Sequence, residues 1–189
     1  MRFRVTLVLA AVLLSLGLLS PGAAGAAGLK LTSRDLASAE FRAPFLYMGL
    51  GCIGGNFSPS LAWSDAPAAT RSFAVTLYDP DAPTGSGWWH WVVYDIPVRF
   101  TGLATGAGAP SGLLLPRGAH QARNDYGAPG YGGPCPPAGD KPHRYVFTLY
   151  ALDVPTLGVT ANASAALVGL NLHAHVIAAA SLVIYHGRP

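Results

Sequence analysis

Three runs of apolar, β-branched and aromatic residues dominate the pattern of this chain. Ser72 to Tyr78 (SFAVTLY), Trp88 to Ile96 (WWHWVVYDI) and Arg144 to Leu152 (RYVFTLYAL) stay hydrophobic at nearly every position. Their composition predicts strands, and the lack of a polar face predicts central strands covered on both sides. Strict alternation along the second run puts His90, Val92 and Tyr94 on one face and Trp89, Trp91 and Val93 on the other. Residues 29–48 mix polar and apolar positions, as one or two opening strands would. Gly49 to Pro59 is turn-rich around Gly54-Gly55-Asn56, Leu61 to Trp63 is a short apolar piece, and Ser64 to Thr70 is a loop. Residues 162–180 have a helical composition, with Asn162 or Ser164 as N-cap. Ser181 to His186 reads as a last strand. Residues 102–142 hold most of the long Gly/Pro-rich connections, and a loop of that length is functional or hides further elements. No internal repeat is visible. The sum is a mainly β domain with peripheral helices.

The N-terminus has a separate pattern. Arg2 and Arg4 precede an almost wholly apolar stretch, Val5 to Leu19, which Pro21-Gly22 ends before the small residues Ala24-Gly25-Ala26. The stretch is shorter than the roughly 20 apolar residues of a membrane span. It reads as a signal peptide over residues 1–26, cleaved to leave one domain over 27–189, with an uncleaved anchor as the alternative.

Export changes the charge picture. Without Arg2 and Arg4, ten Lys and Arg face nine Asp and Glu, a net charge of +1. Lys30 and Lys141 are the only lysines. Phosphate-backbone binding needs clustered cations, so nucleic acid is not an expected partner. In an oxidising compartment Cys52 and Cys135 are candidates for one disulfide, with two reduced buried thiols as the alternative.

Candidate chemistry gathers in three places. Asp79-Pro80-Asp81-Ala82-Pro83 follows the first strand directly, and its prolines make a rigid corner holding two carboxylates, which either serve a site or cap their own turn. His90 sits in the apolar run Trp88-Trp89-His90-Trp91 and needs a hydrogen-bond partner, for which Asp79 or Asp81 is available. Gly130 to Arg144 (GYGGPCPPAGDKPHR) combines a stiff Pro136-Pro137 wall, glycines that permit close approach, and His143 at the start of the third strand. That loop can offer a backbone N–H and an imidazole to one anion.

Other motifs fail. Ser86 lacks the outer glycines of a nucleophile elbow, and neither lysine fits a phosphate-binding loop. His173 and His175 do not share a helix face, so no metal site is expected there. No cofactor motif is present. The sequon Asn162-Ala163-Ser164 matters only in a host that glycosylates.

Taken in order, Asn56-Phe57-Ser58-Pro59, Tyr78 to Pro83, Trp89-His90-Trp91, Asn124-Asp125-Tyr126-Gly127, Gly133 to Pro137 and His143-Arg144-Tyr145 resemble the signatures of the phosphatidylethanolamine-binding protein family. The likeness is to its bacterial, Raf-kinase-inhibitor-like branch and runs from about residue 30 to the C-terminus. It implies a β-sandwich around a large antiparallel sheet, with small peripheral helices and an anion pocket at one end of the sheet. Matched by position, it implies ligand contacts from Asp79, His90, Cys135, Pro136, His143 and Tyr145, supported by Pro80, Asp81, Pro83, Trp89 and Pro137. The segment from Thr84 to Trp89 is shorter than in eukaryotic relatives, so kinase-regulatory and flowering roles do not transfer.

The expected function is binding without turnover of a small anionic group: phosphate, carboxylate or a phospholipid headgroup. Protonated His90 or His143 would supply charge, and Asp79 would hold one imidazole. A weak Asp/His acid–base hydrolase and an exported inhibitor of an unidentified protease or kinase are the alternatives. A homodimer is implied by family analogy alone. The expected location is secreted or periplasmic.

Overall fold

The computed structural model describes residues 28–160 and 162–188. The signal segment read over residues 1–26 lies outside the described residues. Ten strands and one α-helix are seen among them: β1 Lys30–Thr32, β2 Met48–Gly49, β3 Cys52–Ile53, β4 Leu61–Ser64, β5 Ser72–Asp79, β6 Trp88–Pro97, β7 Gly102–Leu103, β8 His120–Gln121, β9 His143–Leu152, α1 Ala165–His175 and β10 Val176–His186. The architecture is mainly β, as expected. A five-stranded antiparallel sheet, ordered β10-β9-β5-β6-β8, carries the three hydrophobic runs as its central strands. Beside it lie a three-stranded sheet, β1-β4-β7, and the β2-β3 hairpin. One buried cluster includes Leu31, Leu61 and Trp63 from the small sheet and Leu77, Trp91, Phe147 and Ile184 from the large one. A second packs Val168 and Leu172 of α1 on Ala74, Val92, Tyr94 and Leu152 of the large sheet.

The antiparallel register positions the site. Asp79 pairs with Trp88 across the β5–β6 connection, and Tyr78 pairs with Val146 of β9. The end of β5 therefore meets the beginnings of β6 and β9, and residues far apart in sequence converge at one end of the sheet.

Three expectations change. First, the helix ends at His175, and β10 already begins at Val176, well before Ser181. Ala178 to Ala180 have high helix propensity, but they pair with Ala151, Tyr150 and Leu149 of β9, so sheet pairing overrides propensity. Ser164 supplies the N-cap, its hydroxyl accepting from the Leu167 N–H at 3.2 Å. Second, β9 is not covered on both faces: His143, Tyr145, Phe147 and Leu149 are buried, while Arg144, Val146, Thr148 and Tyr150 are not. Third, β6 does not alternate strictly. Leu77 faces Trp91 but the next residue, Tyr78, faces Trp89, so His90 is the extra residue of a β-bulge. Trp89 consequently packs with the Val92 and Tyr94 cluster, opposite to the alternation reading, while Trp91 and Val93 lie in the other cluster. The bulge turns the His90 ring onto the Tyr145 ring, with centroids 5.2 Å apart.

Candidate functional site

Asp79 closes β5 and is 2% exposed. Its two oxygens have different tasks. Oδ1 accepts the Asp81 N–H at 2.8 Å across Pro80, closing the corner. Oδ2 accepts from His143 Nδ1, also at 2.8 Å. The turn-cap reading of this carboxylate is met by Oδ1, and Oδ2 is left to hold His143.

The expected Asp–His90 contact is not formed. His90 Nδ1 instead donates to the Gly132 carbonyl at 2.7 Å. Burial pushes its pKa down to about 4, against the smaller upward pull of that carbonyl and of Asp79 and Asp125. His90 is therefore neutral near pH 7, which removes it as a source of positive charge. Asp81 also leaves the site. It accepts from the Arg144 N–H at 2.9 Å, from Nε at 2.9 Å and from Nη2 at 2.8 Å. The Arg144 guanidinium holds the Asp81 carboxyl far below the usual carboxylate range. This fork ties the beginning of β9 to the β5–β6 corner.

A cavity of about 160 Å³ lies at the junction, lined by Asp79, Pro83, His90, Cys135, Pro136, Pro137, His143 and Tyr145 among others. Of the residues singled out from sequence, Pro80, Asp81 and Trp89 stand outside the lining. Trp89 is turned away by the bulge and packs at a tilt against Tyr78, with centroids 4.4 Å apart. Its neighbour Trp88 takes the place at the cavity.

Sequence reasoning missed Leu50, Ala82, Thr84, Trp88 and Tyr126 as lining residues. Tyr126 was legible only as part of the Asn124 to Gly127 signature. Its hydroxyl donates to the Gly133 carbonyl at 2.9 Å, and its ring stacks on Tyr47 with centroids 3.9 Å apart. Gly132 is needed because a Cβ there would run into the Tyr126 ring, and Gly133 because a Cβ would meet the backbone of Phe45 and Tyr47. These glycines serve close approach of the chain to itself. Leu50 reaches the cavity because a Cys52–Cys135 disulfide, with Cα atoms 5.9 Å apart, staples its hairpin to the proline wall. The cysteine pairing read from the sequence is formed.

The cavity is rich in donors. Trp88 Nε1 and Tyr145 Oη are buried and have no hydrogen-bond partner among the described residues. Burial, then the Asp79 charge, pushes the Tyr145 phenol well above its ordinary pKa, so it stays protonated and can donate. Pro134, Pro136 and Pro137 carry no N–H, which leaves Cys135 as the one backbone donor of that wall. Among the described residues no Lys or Arg lines the cavity. Among the described residues no group of three metal-ligating side chains is present, and His175 faces Asp153 at 3.1 Å. No described helix is long and apolar enough to cross a membrane.

Comparison with known proteins agrees with this fold. YbcL of Escherichia coli is 52% identical over 160 residues, covering 84% of this chain and 87% of that protein. YbhB of the same organism is 50% identical, covering 82% and 97%. The crystal structure of YbcL, described as a new member of the mammalian PEBP family, superposes with a TM-score of 0.84 at 49% identity, covering 86% of this chain and 100% of that one. The sequence profile of the phosphatidylethanolamine-binding protein family matches residues 37–186, and the chain belongs to that family.

Proposed function

We propose that this protein binds one small anionic group, a phosphate, a carboxylate or a phosphorylated headgroup, in the cavity between β5, β6 and β9. The observation that carries the reading is that Trp88 and Tyr145, whose Nε1 and Oη are buried without a partner among the described residues, line one cavity together with Cys135 and the buried Asp79–His143 pair. Leaving buried donors unpaired costs about 1–3 kcal/mol each. A ligand that accepts from them recovers that cost. Asp79 accepts from His143 Nδ1, so Nε2, which has Asp140 Oδ2 at 3.6 Å, is the nitrogen a ligand would meet. The family description, a phosphatidylethanolamine-binding protein, points to the same ligand chemistry.

Export to an oxidising compartment is part of the proposal. It is supported by the basic and apolar N-terminus and by the Cys52–Cys135 disulfide. N-terminal sequencing of the exported protein tests it, and a retained Met1 would count against cleavage. Binding itself is tested by calorimetry with inorganic phosphate and phosphoethanolamine. Tyr145→Phe removes one donor and keeps the ring, and it should weaken binding about tenfold. Equal affinity in the variant would contradict the reading.

The Asp79–His143 pair also suits acid–base hydrolysis, with His143 rather than His90 as the proton carrier. Turnover of phosphoester and ester panels, lost in His143→Ala, would establish that second reading.

A further inference from the structure

We propose that a second cavity, on the face of the large sheet opposite the anion cavity, binds one small neutral aromatic ring bearing a hydroxyl, a ligand of the phenol class. It encloses about 150 Å³ between α1 and strands β5, β6 and β9. The two cavities have no lining residue in common. Tyr145 of β9 lines the first and Tyr150 the second, since residues an odd number apart on one strand point to opposite faces.

The bulge at His90 builds this site. It turns the Trp89 side chain away from the anion cavity and into the second one. Asp125 clasps the Trp89 backbone: the Trp89 N–H donates to Asp125 Oδ2 at 2.7 Å, and the Trp89 carbonyl accepts the Asp125 N–H at 3.0 Å. Tyr78 braces the indole ring. Tyr150 forms the other wall. Thr76 pairs with Val92 and Thr148, whereas Trp89 pairs with Tyr78, two residues further along β5, and Tyr150 with Ala74, two residues back. The two aromatic residues therefore stand diagonally across Thr76, which is 3% exposed and brings a hydroxyl to the lining. Gly169 gives an independent sign. It sits inside α1, where glycine costs about 1 kcal/mol against alanine. Neither packing nor backbone demands it: an added Cβ would meet nothing within 4 Å, and its φ is outside the left-handed range. Its missing side chain leaves the cavity open on the helix side.

The lining selects the ligand. Among the described residues no Asp, Glu, Lys or Arg lines this cavity. A charged ligand would lose hydration without gaining a counter-charge, so the ligand is neutral. Trp89, Tyr150, Leu172 and Val176 supply aromatic and apolar surface, which favours a ring that meets them face-on or edge-on. An apolar cavity of about 150 Å³ holds benzene, so one aromatic ring is the right size. Beyond the polar tips of the two aromatic residues, Thr76 and His173 are the polar side chains of the lining, enough for one hydroxyl. A sugar ring brings several hydroxyls, and each one buried without a partner costs about 1–3 kcal/mol.

An NMR titration of the disulfide-bonded protein with phenol, benzoate and glucose at neutral pH tests the assignment. Phenol should shift the Thr76, Gly169 and His173 amides and the Trp89 indole N–H, saturably and with one dissociation constant. Benzoate, which adds a charge, and glucose, which adds hydroxyls, should bind about tenfold more weakly or worse. Gly169→Leu should extend a side chain into the cavity, keep or raise the urea midpoint, and weaken phenol binding about tenfold or more. Gly169→Ala adds a methyl that meets nothing, so it should fold as the wild type does and weaken phenol binding severalfold. Phenol shifts absent from these groups, or benzoate or glucose binding as tightly as phenol, would overturn the inference. So would unchanged phenol affinity in Gly169→Leu, or in Gly169→Ala should the larger side chain unfold the protein.

Discussion

The Asp79 carboxylate and the His143 imidazole meet at 2.8 Å although 64 residues separate them, and each is 2% exposed. This pair joins the last residue of β5 to the first residue of β9 and forms part of the cavity wall. Removing one partner of a buried pair leaves the other unsatisfied, at a cost of about 3 kcal/mol. Asp79→Ala should therefore lower unfolding free energy by about that amount. Asp79→Asn keeps the shape but removes the charge, and should cost less stability while weakening anion binding tenfold or more. Urea unfolding and calorimetry on both variants check the two effects separately.

The placement of this pair was only partly legible in the sequence. Asp79, His90 and His143 could each be picked out, because prolines, an apolar run and a strand beginning frame them. Which histidine meets the carboxylate could not be read, because that depends on the bulge at His90 and on where the Gly132 carbonyl falls. Trp88 was missed because the Trp89-His90-Trp91 signature points to its neighbour Trp89, although alternation sets Trp88 on the face of His90. The three central strands were clear because continuous hydrophobicity survives any register. The span Val176–Ala180 was not, since alanines favour a helix until a neighbouring strand is there to pair with.

His90 makes stability depend on pH. Its pKa falls from 6.5 in the unfolded chain to about 4 in the folded one. Between those values the unfolded state binds more protons, so stability is full above about pH 6.5 and declines as pH falls toward 4. The shift corresponds to about 3 kcal/mol. Denaturant unfolding of wild type and His90→Gln at pH 7 and pH 4 measures this, and the variant should lose that part of the decline.

Reduction of the Cys52–Cys135 bond should act on both stability and site. The bond closes a loop with a sequence separation of 83, worth about 4 kcal/mol on the chain-entropy account. It also holds the Leu50 hairpin against the cavity. Reductant should shift the urea midpoint downward, and anion affinity measured under native conditions should fall severalfold.

Arg144 lies outside the cavity yet clamps Asp81, which fixes the corner that carries Asp79. Arg144→Ala should weaken anion binding about threefold. Arg144→Lys cannot make the two-pronged contact and should recover only part of the loss. Calorimetry on the two variants decides the point.

The central claim is a single anion cavity at the junction of β5, β6 and β9. Its most direct test is a crystal structure of the protein soaked with phosphate near pH 6. The anion should lie within hydrogen-bonding distance of Tyr145 Oη, Trp88 Nε1, the Cys135 N–H and His143 Nε2. A saturating soak that leaves those four groups without the anion would contradict it.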